Sequence, residues 1–255
     1  MNINYRPIGI IILIVLSNFV LSAQIVNTES SRMHTDTIGW MGSAGAAFII
    51  SKTVEKVLSV DLGMHLQYKT KKSLWLLLGS YNFLKAGNQK FLSNSFEHIR
   101  YNYKLSKLVR WEIFTQLQNN QITQIGSRFL LGTGPRFRLI TKKRIHLYAA
   151  TSVMYEKEKE ITKPVVYDKD IRSNNYVVFT LTPKSGVMEL ISTTYYQPLF
   201  KNWEDYRVLN QISLKVKTSK RLSLSLNWNY LFDSRPAGTA PKENFSFATG
   251  VDLNF

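Results

Sequence analysis

Read back from its C-terminal end, the chain alternates. Phe245, Phe247, Thr249, Val251, Leu253 and Phe255 fall on one parity, and Ser246, Ala248, Gly250, Asp252 and Asn254 on the other. The segment before it repeats the pattern, with Leu222, Leu224, Leu226, Trp228, Tyr230 and Phe232 set against Ser223, Ser225, Asn227 and Asn229. Successive side chains of an extended strand point to opposite faces, so a period of two predicts strands with one greasy and one polar face. Beyond the N-terminal region no stretch of 18 apolar residues occurs, so no helical membrane span is expected there.

Alternation suits a half-buried strand of a soluble sandwich or lipocalin-like barrel as well as a strand of a membrane barrel, and the spacing of the turns separates them. Short basic turns recur at Lys69-Thr70-Lys71-Lys72, Lys104-Leu105-Ser106-Lys107, Thr141-Lys142-Lys143-Arg144, Thr182-Pro183-Lys184-Ser185-Gly186 and Lys217-Thr218-Ser219-Lys220-Arg221. Their centres lie 36, 36, 42 and 35 residues apart, and the chain stops 36 residues after the last. That interval is a hairpin period, and six hairpins make twelve strands. Between the basic turns lie stretches richer in Asn, Gln, Pro and mixed charge, around 85–89, 118–121, 156–172, 201–205 and 233–242, which read as long loops. An even strand count with short turns on one side and long loops on the other predicts an all-β fold: a closed, antiparallel, up-and-down transmembrane β-barrel of about twelve strands. Closure is required because lipid cannot satisfy an open sheet edge.

Residues 1–23 have a basic start ending at Arg6, an apolar run over about 8–21 and a small-residue exit at Ser22-Ala23, the pattern of a secretory signal peptide. The apolar run is shorter than the roughly 20 residues of a spanning helix. This divides the chain into a signal at 1–23, a short periplasmic lead at 24–36 and a barrel at 37–255. A last strand ending in Phe255, apolar at every second position, resembles the signal by which the barrel assembly machinery recognises its clients, so that machinery and outer-membrane lipids are the expected partners.

Parity assigns the charges within the strands. With Ile99, Tyr101 and Tyr103 facing lipid, His98, Arg100 and Asn102 face the lumen; with Val109, Trp111 and Ile113 outside, Arg110, Glu112, Gln116 and Gln118 point in. Arg128, Arg136, Arg138, Arg207 and Lys215 follow by the same logic, as do Asp61, His65 and Asp252. A charge on the lipid face costs about 2–4 kcal/mol at midplane, which favours this assignment. Arg100, Arg110, Glu112, Arg128, Arg136, Arg138, Arg207 and Lys215 form the candidate lumen charge track. Over Leu74 to Phe83 both faces are apolar and parity is undecided.

Composition narrows the options further. Hydrophobic residues make up 44% of the 255 positions, aromatic 13% and charged 20%, with no cysteine, which excludes disorder, a disulfide framework, a lipoprotein anchor and a zinc-thiolate site. Aromatic residues gather at the interfaces of membrane barrels. Loss of Arg6 with the signal leaves 32 bases against 17 acids, a net of +15. Twelve of those bases sit in the five short turns, where there is no acid. They either meet anionic headgroups or cell wall on the periplasmic side or are plain turn chemistry that keeps the turns soluble. Nucleic acid is not an expected partner of an exported barrel.

The run Arg100-Tyr101-Asn102-Tyr103-Lys104-Leu105, then Trp111-Glu112, Gln116, Arg128, Leu131-Gly132-Thr133-Gly134-Pro135-Arg136-Phe137, Met154-Tyr155-Glu156, Thr194-Tyr195-Tyr196-Gln197-Pro198, Asp205-Tyr206-Arg207 and Asp233-Ser234-Arg235-Pro236 resembles an outer-membrane β-barrel family. That family is a domain of unknown function described as a salt-induced outer membrane protein, and the similarity is to its Bacteroidota branch, over about residues 95–255. The resemblance implies an outer-membrane barrel and an envelope or osmotic-response role. It supplies no reaction, ligand or cofactor.

Four functions remain open. An integral envelope protein with a closed interior would pair Arg100, Arg110 and Arg128 with Glu112, Asp61 and Asp252. A narrow anion-preferring channel would use the same bases to pass small solutes. A receptor or adhesin would bind through the 156–172 loop. Catalysis is the least supported: His34, His65, His98 and His146 are the only histidines, the last three on strands two, four and seven, and no Gly-x-Ser-x-Gly elbow occurs. Three separated histidines also argue against a metal site, and no cofactor is expected. Gly132-Thr133-Gly134-Pro135-Arg136 lies in a strand with no Gly-Lys-Ser/Thr after it, so its glycines are expected to ease curvature or packing rather than cradle phosphate.

Overall fold

A computed structural model of the chain describes residues 38–52, 56–87, 89–219 and 222–253, and these contain strands and turns but no helix. The signal segment, the lead with His34, and Phe255 lie outside the described residues. The strands are β1 (Gly39–Lys52), β2 (Lys56–Lys69), β3 (Ser73–Ala86), β4 (Gln89–Lys104), β5 (Val109–Asn120), β6 (Ile125–Lys142), β7 (Ile145–Glu160), β8 (Tyr167–Leu181), β9 (Met188–Leu199), β10 (Asn202–Lys217), β11 (Leu222–Asp233) and β12 (Glu243–Leu253). They form one sheet in sequence order, and neighbours pair antiparallel, as in Trp40 opposite Tyr68 and Trp228 opposite Phe247. The protein is the twelve-stranded up-and-down antiparallel fold that the hairpin period predicts.

The structure qualifies two expectations. The closing ladder between β1 and β12 is not among the pairings of the described residues. β1 carries the run Gly42-Ser43-Ala44-Gly45-Ala46-Ala47, which offers a neighbour little to pack against, and beyond Met41 all of β1 is exposed. Nor do connection lengths alternate. All five basic turns fall between strands at one end, at 70–72, 105–108, 143–144, 182–187 and 218–221, but most connections at the other end are as short. The expected loop at 156–172 is reduced to residues 161–166, because β7 and β8 run through its charged ends. Only 234–242 is distinctly long.

The basic turns owe their shape to hydroxyl side chains. Thr70 Oγ1 accepts from Ser73 N at 2.8 Å, Ser106 Oγ from Val109 N at 3.0 Å and Ser219 Oγ from Leu222 N at 3.0 Å. Such local side-chain bonds replace backbone pairing where the chain reverses.

Burial alternates along each strand and defines two faces. On β5, Glu112, Phe114, Gln116, Gln118 and Asn120 are buried, while Trp111, Ile113 and Leu117 are exposed. On β3 the ambiguity of sequence resolves: Leu74, Leu76 and Leu78 point in and Trp75 out. The sheet curls so that its inner face closes on itself. Tyr176 on β8 reaches Glu112 on β5, and Arg207 on β10 reaches Glu156 on β7. Apolar patches fill part of the interior, one of Ala150, Tyr176, Val178, Tyr195, Leu209 and Leu231, others of Leu76, Leu78 and Phe96 and of Phe114, Leu130 and Met154.

Candidate functional site

The outer face is largely apolar over the middle of the strands, and polar side chains there bond to each other, as Thr151 does to Asn175 and Asn210 to Thr194. A register row of Glu97, Leu117, Phe129, Lys157 and Lys169 crosses β4 to β8 towards the end opposite the basic turns. Between that level and the basic turns, the outward positions of the described strands hold no charged side chain. Trp40, Phe48, Phe245 and Phe247 are each more than half exposed there. Cross-strand aromatic pairs mark both ends of the band: Trp40 with Tyr68 and Trp75 with Tyr101 near the basic turns, Tyr196 with Tyr206 and Tyr206 with Phe232 near the other. A largely apolar, uncharged surface of this extent is not one a monomer exposes to water.

The inner face is the reverse, and its charges gather in two clusters. The first surrounds Glu112 on β5. Its carboxylate accepts from Asn102 Nδ2 at 2.9 Å and from the Tyr176 hydroxyl at 2.5 Å, with Arg136 Nη1 at 3.5 Å and Arg100 Nη1 at 3.8 Å. Arg136 also lies over the Tyr148 ring, 4.4 Å from its centroid, and Arg100 over the Phe114 ring at 5.5 Å. Phe114 in turn stacks on His98 and occupies the space above Gly132, where a Cβ would sit 2.3 Å from the ring. At Gly134 a Cβ would be 2.1 Å from the Thr151 carbonyl of β7, so these glycines serve close packing, as the strand context predicts.

The second cluster lies nearer the other end and centres on Glu156 of β7, 1% exposed. Glu156 Oε1 meets Arg128 Nε at 2.9 Å and Arg207 Nη1 at 2.6 Å, and Oε2 meets Arg172 Nε at 2.7 Å. Each arginine is shared: Arg128 with Glu158 at 2.5 Å, Arg172 with Asp205 at 2.8 Å, Arg207 with Asp233 at 2.9 Å. Three cations and four carboxylates from β6, β7, β8, β10 and β11 thus form one buried network. Such a network holds strands in register only while complete, since removing one partner strands the rest in a low-dielectric site.

Of the predicted track, Arg100, Glu112, Arg128, Arg136 and Arg207 are buried on the inner face, while Arg110, Arg138 and Lys215 are half-buried towards the basic-turn end. The structure joins Arg100 and Arg136 through Glu112, and Arg128 and Arg207 through Glu156. Glu112 is the acid of Arg100 as expected, but Arg128 pairs with Glu156 and Glu158, and Asp61 accepts from Asn82 Nδ2 at 2.7 Å; the Asp252 side chain lies outside what the structure describes. Reading 156–172 as a loop hid the true counter-ions. Their signal is present in the sequence: in Tyr155-Glu156-Lys157-Glu158-Lys159 the acids share one parity and the lysines the other, a period of two written in charge. The structure turns Glu156 and Glu158 inward and leaves Lys157 and Lys159 exposed.

The end beyond this network is covered. Gln124, in the β5–β6 turn with a left-handed φ of 59°, donates from Nε2 to Thr239 Oγ1 at 2.7 Å and accepts from Thr239 N at 3.0 Å. Thr239 belongs to the 234–242 loop, six strands away along the sheet, so the contact bridges the mouth. Ala237 and Ala240 of that loop are buried. Gly238, at φ 51°, fits against Gln124 and Thr162, where a Cβ would lie 2.2 Å from Gln124 Oε1. At the same end, Lys201 in the β9–β10 turn donates to Asp170 at 2.5 Å, and that carboxylate raises the lysine above its ordinary range. Among the described residues no group of three or more His, Cys, Asp and Glu is placed to hold a metal.

These features describe a twelve-stranded barrel with a lipid-compatible exterior and an ion-paired interior. The family profile described as "Protein of unknown function, DUF481" matches residues 44–255, and the chain belongs to that family. No curated protein matches it. Similar solved structures include the NanC porin, at 9% identity over 85% of this chain and 98% of that one with a TM-score of 0.49. The KdgM porin is similar at 10% identity, 84% and 99% coverage and a TM-score of 0.43. The translocator domain of the autotransporter NalP from Neisseria meningitidis is similar at 10% identity, 87% and 90% coverage and a TM-score of 0.43.

Proposed function

We propose that the chain is an integral outer-membrane barrel of a Gram-negative envelope, held shut at one end by its own ion pairs and the 234–242 loop. The supporting observation is the inverted distribution of polarity: outward strand positions uncharged across the middle of the sheet, and Arg128, Glu156, Arg172 and Arg207 buried inside. A water-soluble fold places those groups the other way round. Outer-membrane lipids are then its solvent, and the apolar alternation of its C-terminal sequence, Phe245 through Phe255, is the feature the barrel assembly machinery would recognise. The finer affiliation, a Bacteroidota branch with a part in salt or osmotic response, belongs to the same proposal and predicts altered growth under osmotic shift when the gene is deleted. No cofactor or catalytic step is part of it.

The experiment is single-channel recording of the refolded protein in planar bilayers under a salt gradient. A heat-modifiable barrel that inserts and stays closed supports the reading; stable openings in the wild type overturn closure. A second reading, passage of small anions, is favoured by the half-buried Arg110 and Arg138 of inward parity at the basic-turn end, where Lys215 stands opposite Glu189. It requires openings with anion preference that weakens in Arg138→Ala.

A further inference from the structure

On the outside of β1 to β4, near the basic turns, lies a groove of about 330 Å³ lined by Trp40, Leu66, Tyr68, Trp75, Leu77 and Ile99 among others, with no polar surface. The strand register builds it: Trp40 stands opposite Tyr68, Tyr68 opposite Trp75, and Leu77 opposite Ile99. Indole and phenol rings form the wall nearest the turns, and aliphatic side chains continue it towards the middle of the band.

Lysines occupy the turns that follow and precede the strands lining this groove. Lys71 and Lys72 follow Tyr68 by three and four residues in the β2–β3 turn and are exposed. Lys104 N donates to Lys72 O at 2.8 Å, which brings the exposed Lys104 at the end of β4 beside them. No acidic residue occurs in the β2–β3 or β4–β5 turn, so these cations have no carboxylate within their own turns. An apolar groove at an aromatic belt, next to turns that carry exposed ammonium groups, has the two-part chemistry of a glycerophospholipid with a negatively charged headgroup.

The geometry points to a binding site for one anionic phospholipid of the leaflet that meets the basic turns, with an acyl chain in the groove and its headgroup phosphate held by Lys71, Lys72 and Lys104. This rests on the membrane-barrel reading. It goes beyond that reading in making lipid contact selective at one place on the wall, rather than uniform around it.

The test is tryptophan quenching in the full barrel refolded into phosphatidylcholine vesicles doped with a small fixed fraction of either dibrominated phosphatidylglycerol or dibrominated phosphatidylcholine. Brominated phosphatidylglycerol is expected to quench as if enriched at least about fivefold over its bulk fraction, the equivalent of about 1 kcal/mol from a single base near an anionic surface. Lys71→Gln/Lys72→Gln/Lys104→Gln should remove the preference, and Trp75→Phe should remove much of the quenched signal. Lys142→Gln/Lys143→Gln, on another basic turn, should leave the preference in place. Equal quenching by the two lipids overturns the site, as does equal loss of preference in the two lysine variants, which assigns the effect to the whole rim. Vesicles made wholly of brominated phosphatidylcholine separate the failures: if they quench nothing, the membrane reading itself falls.

Discussion

Glu156→Gln tests the ionic network most directly. The substitution keeps shape and volume, so packing is unchanged and the effect is electrostatic. In the native site both carboxylate oxygens are engaged by three guanidinium groups at 2.6 to 2.9 Å. Glutamine retains one acceptor and turns an amide donor towards cations that can only donate. Charge centres about 4 Å apart at an effective dielectric of about 20 attract by about 4 kcal/mol per pair. Desolvation of the buried carboxylate and repulsion from Glu158 return part of that gain. The net cost of leaving buried cations without a partner is about 3–5 kcal/mol, or roughly two to three and a half powers of ten in the unfolding equilibrium. Urea titration of the barrel in lipid vesicles, followed by tryptophan fluorescence and by the gel shift between folded and heated forms, measures it. A loss below about 1 kcal/mol would refute the reasoning, because the cluster would then contribute no more than a surface pair.

Other substitutions probe the remaining parts. Gly134→Ala puts a methyl group into the Thr151 carbonyl and is expected to cost about 1–3 kcal/mol by overpacking, read as a lower temperature for loss of the folded gel band. Ile113→Arg, in the middle of the outward face of β5, should cost about 2–4 kcal/mol in the same urea titration, whereas a soluble sandwich with that face in water would lose almost nothing. Gln124→Ala breaks the side-chain bridge to Thr239, and if that bridge helps close the mouth, current through planar bilayers should flicker or step where the wild type is silent.

How much of this could be read without coordinates depends on what each residue's signal consists of. Strand identity and facing were legible because hydropathy alternates: Arg100, Glu112, Arg128, Arg136 and Arg207 lie where parity places them. Turn positions at one end were legible because lysine and a hydroxyl residue recur at each of its five reversals. What failed was the reading of polarity as looseness. Around 156–172 the chain is polar because it alternates acid and base across the wall, and hydropathy alone cannot separate that from a solvated loop. Partner choice was illegible for another reason. Arg172 and Asp205 come from β8 and β10, which are not adjacent strands, so their contact depends on how tightly the sheet curls. No spacing along the chain encodes that curvature, and the bridge from Gln124 to the 234–242 loop was invisible on the same grounds.

The distribution of charge ties these parts together. A net of +16 would ordinarily spread self-repulsion through a fold. Here the surplus is sorted along the barrel instead. Glu112, Glu156, Glu158, Asp205 and Asp233 are spent inside against arginines, and the guanidinium forks of Arg128, Arg172 and Arg207 each serve at least two acids at once. The lysines lie mostly at the two rims, in the basic turns at one end and at positions such as Lys157, Lys159, Lys169 and Lys201 at the other, where a compact, well-hydrated ammonium costs least. The choice of residue follows the environment, arginine for the dry interior and lysine mostly for the rim. Exchanging the two should therefore be asymmetric. Arg207→Lys loses the geometry that reaches Glu156 and Asp233 together and should weaken the fold, whereas Lys143→Arg in the exposed β6–β7 turn should leave stability within about 0.5 kcal/mol of the parent. Equal effects in the two variants would mean that the interior sees only charge, and the network would have to be treated as a diffuse field rather than a set of directed bonds.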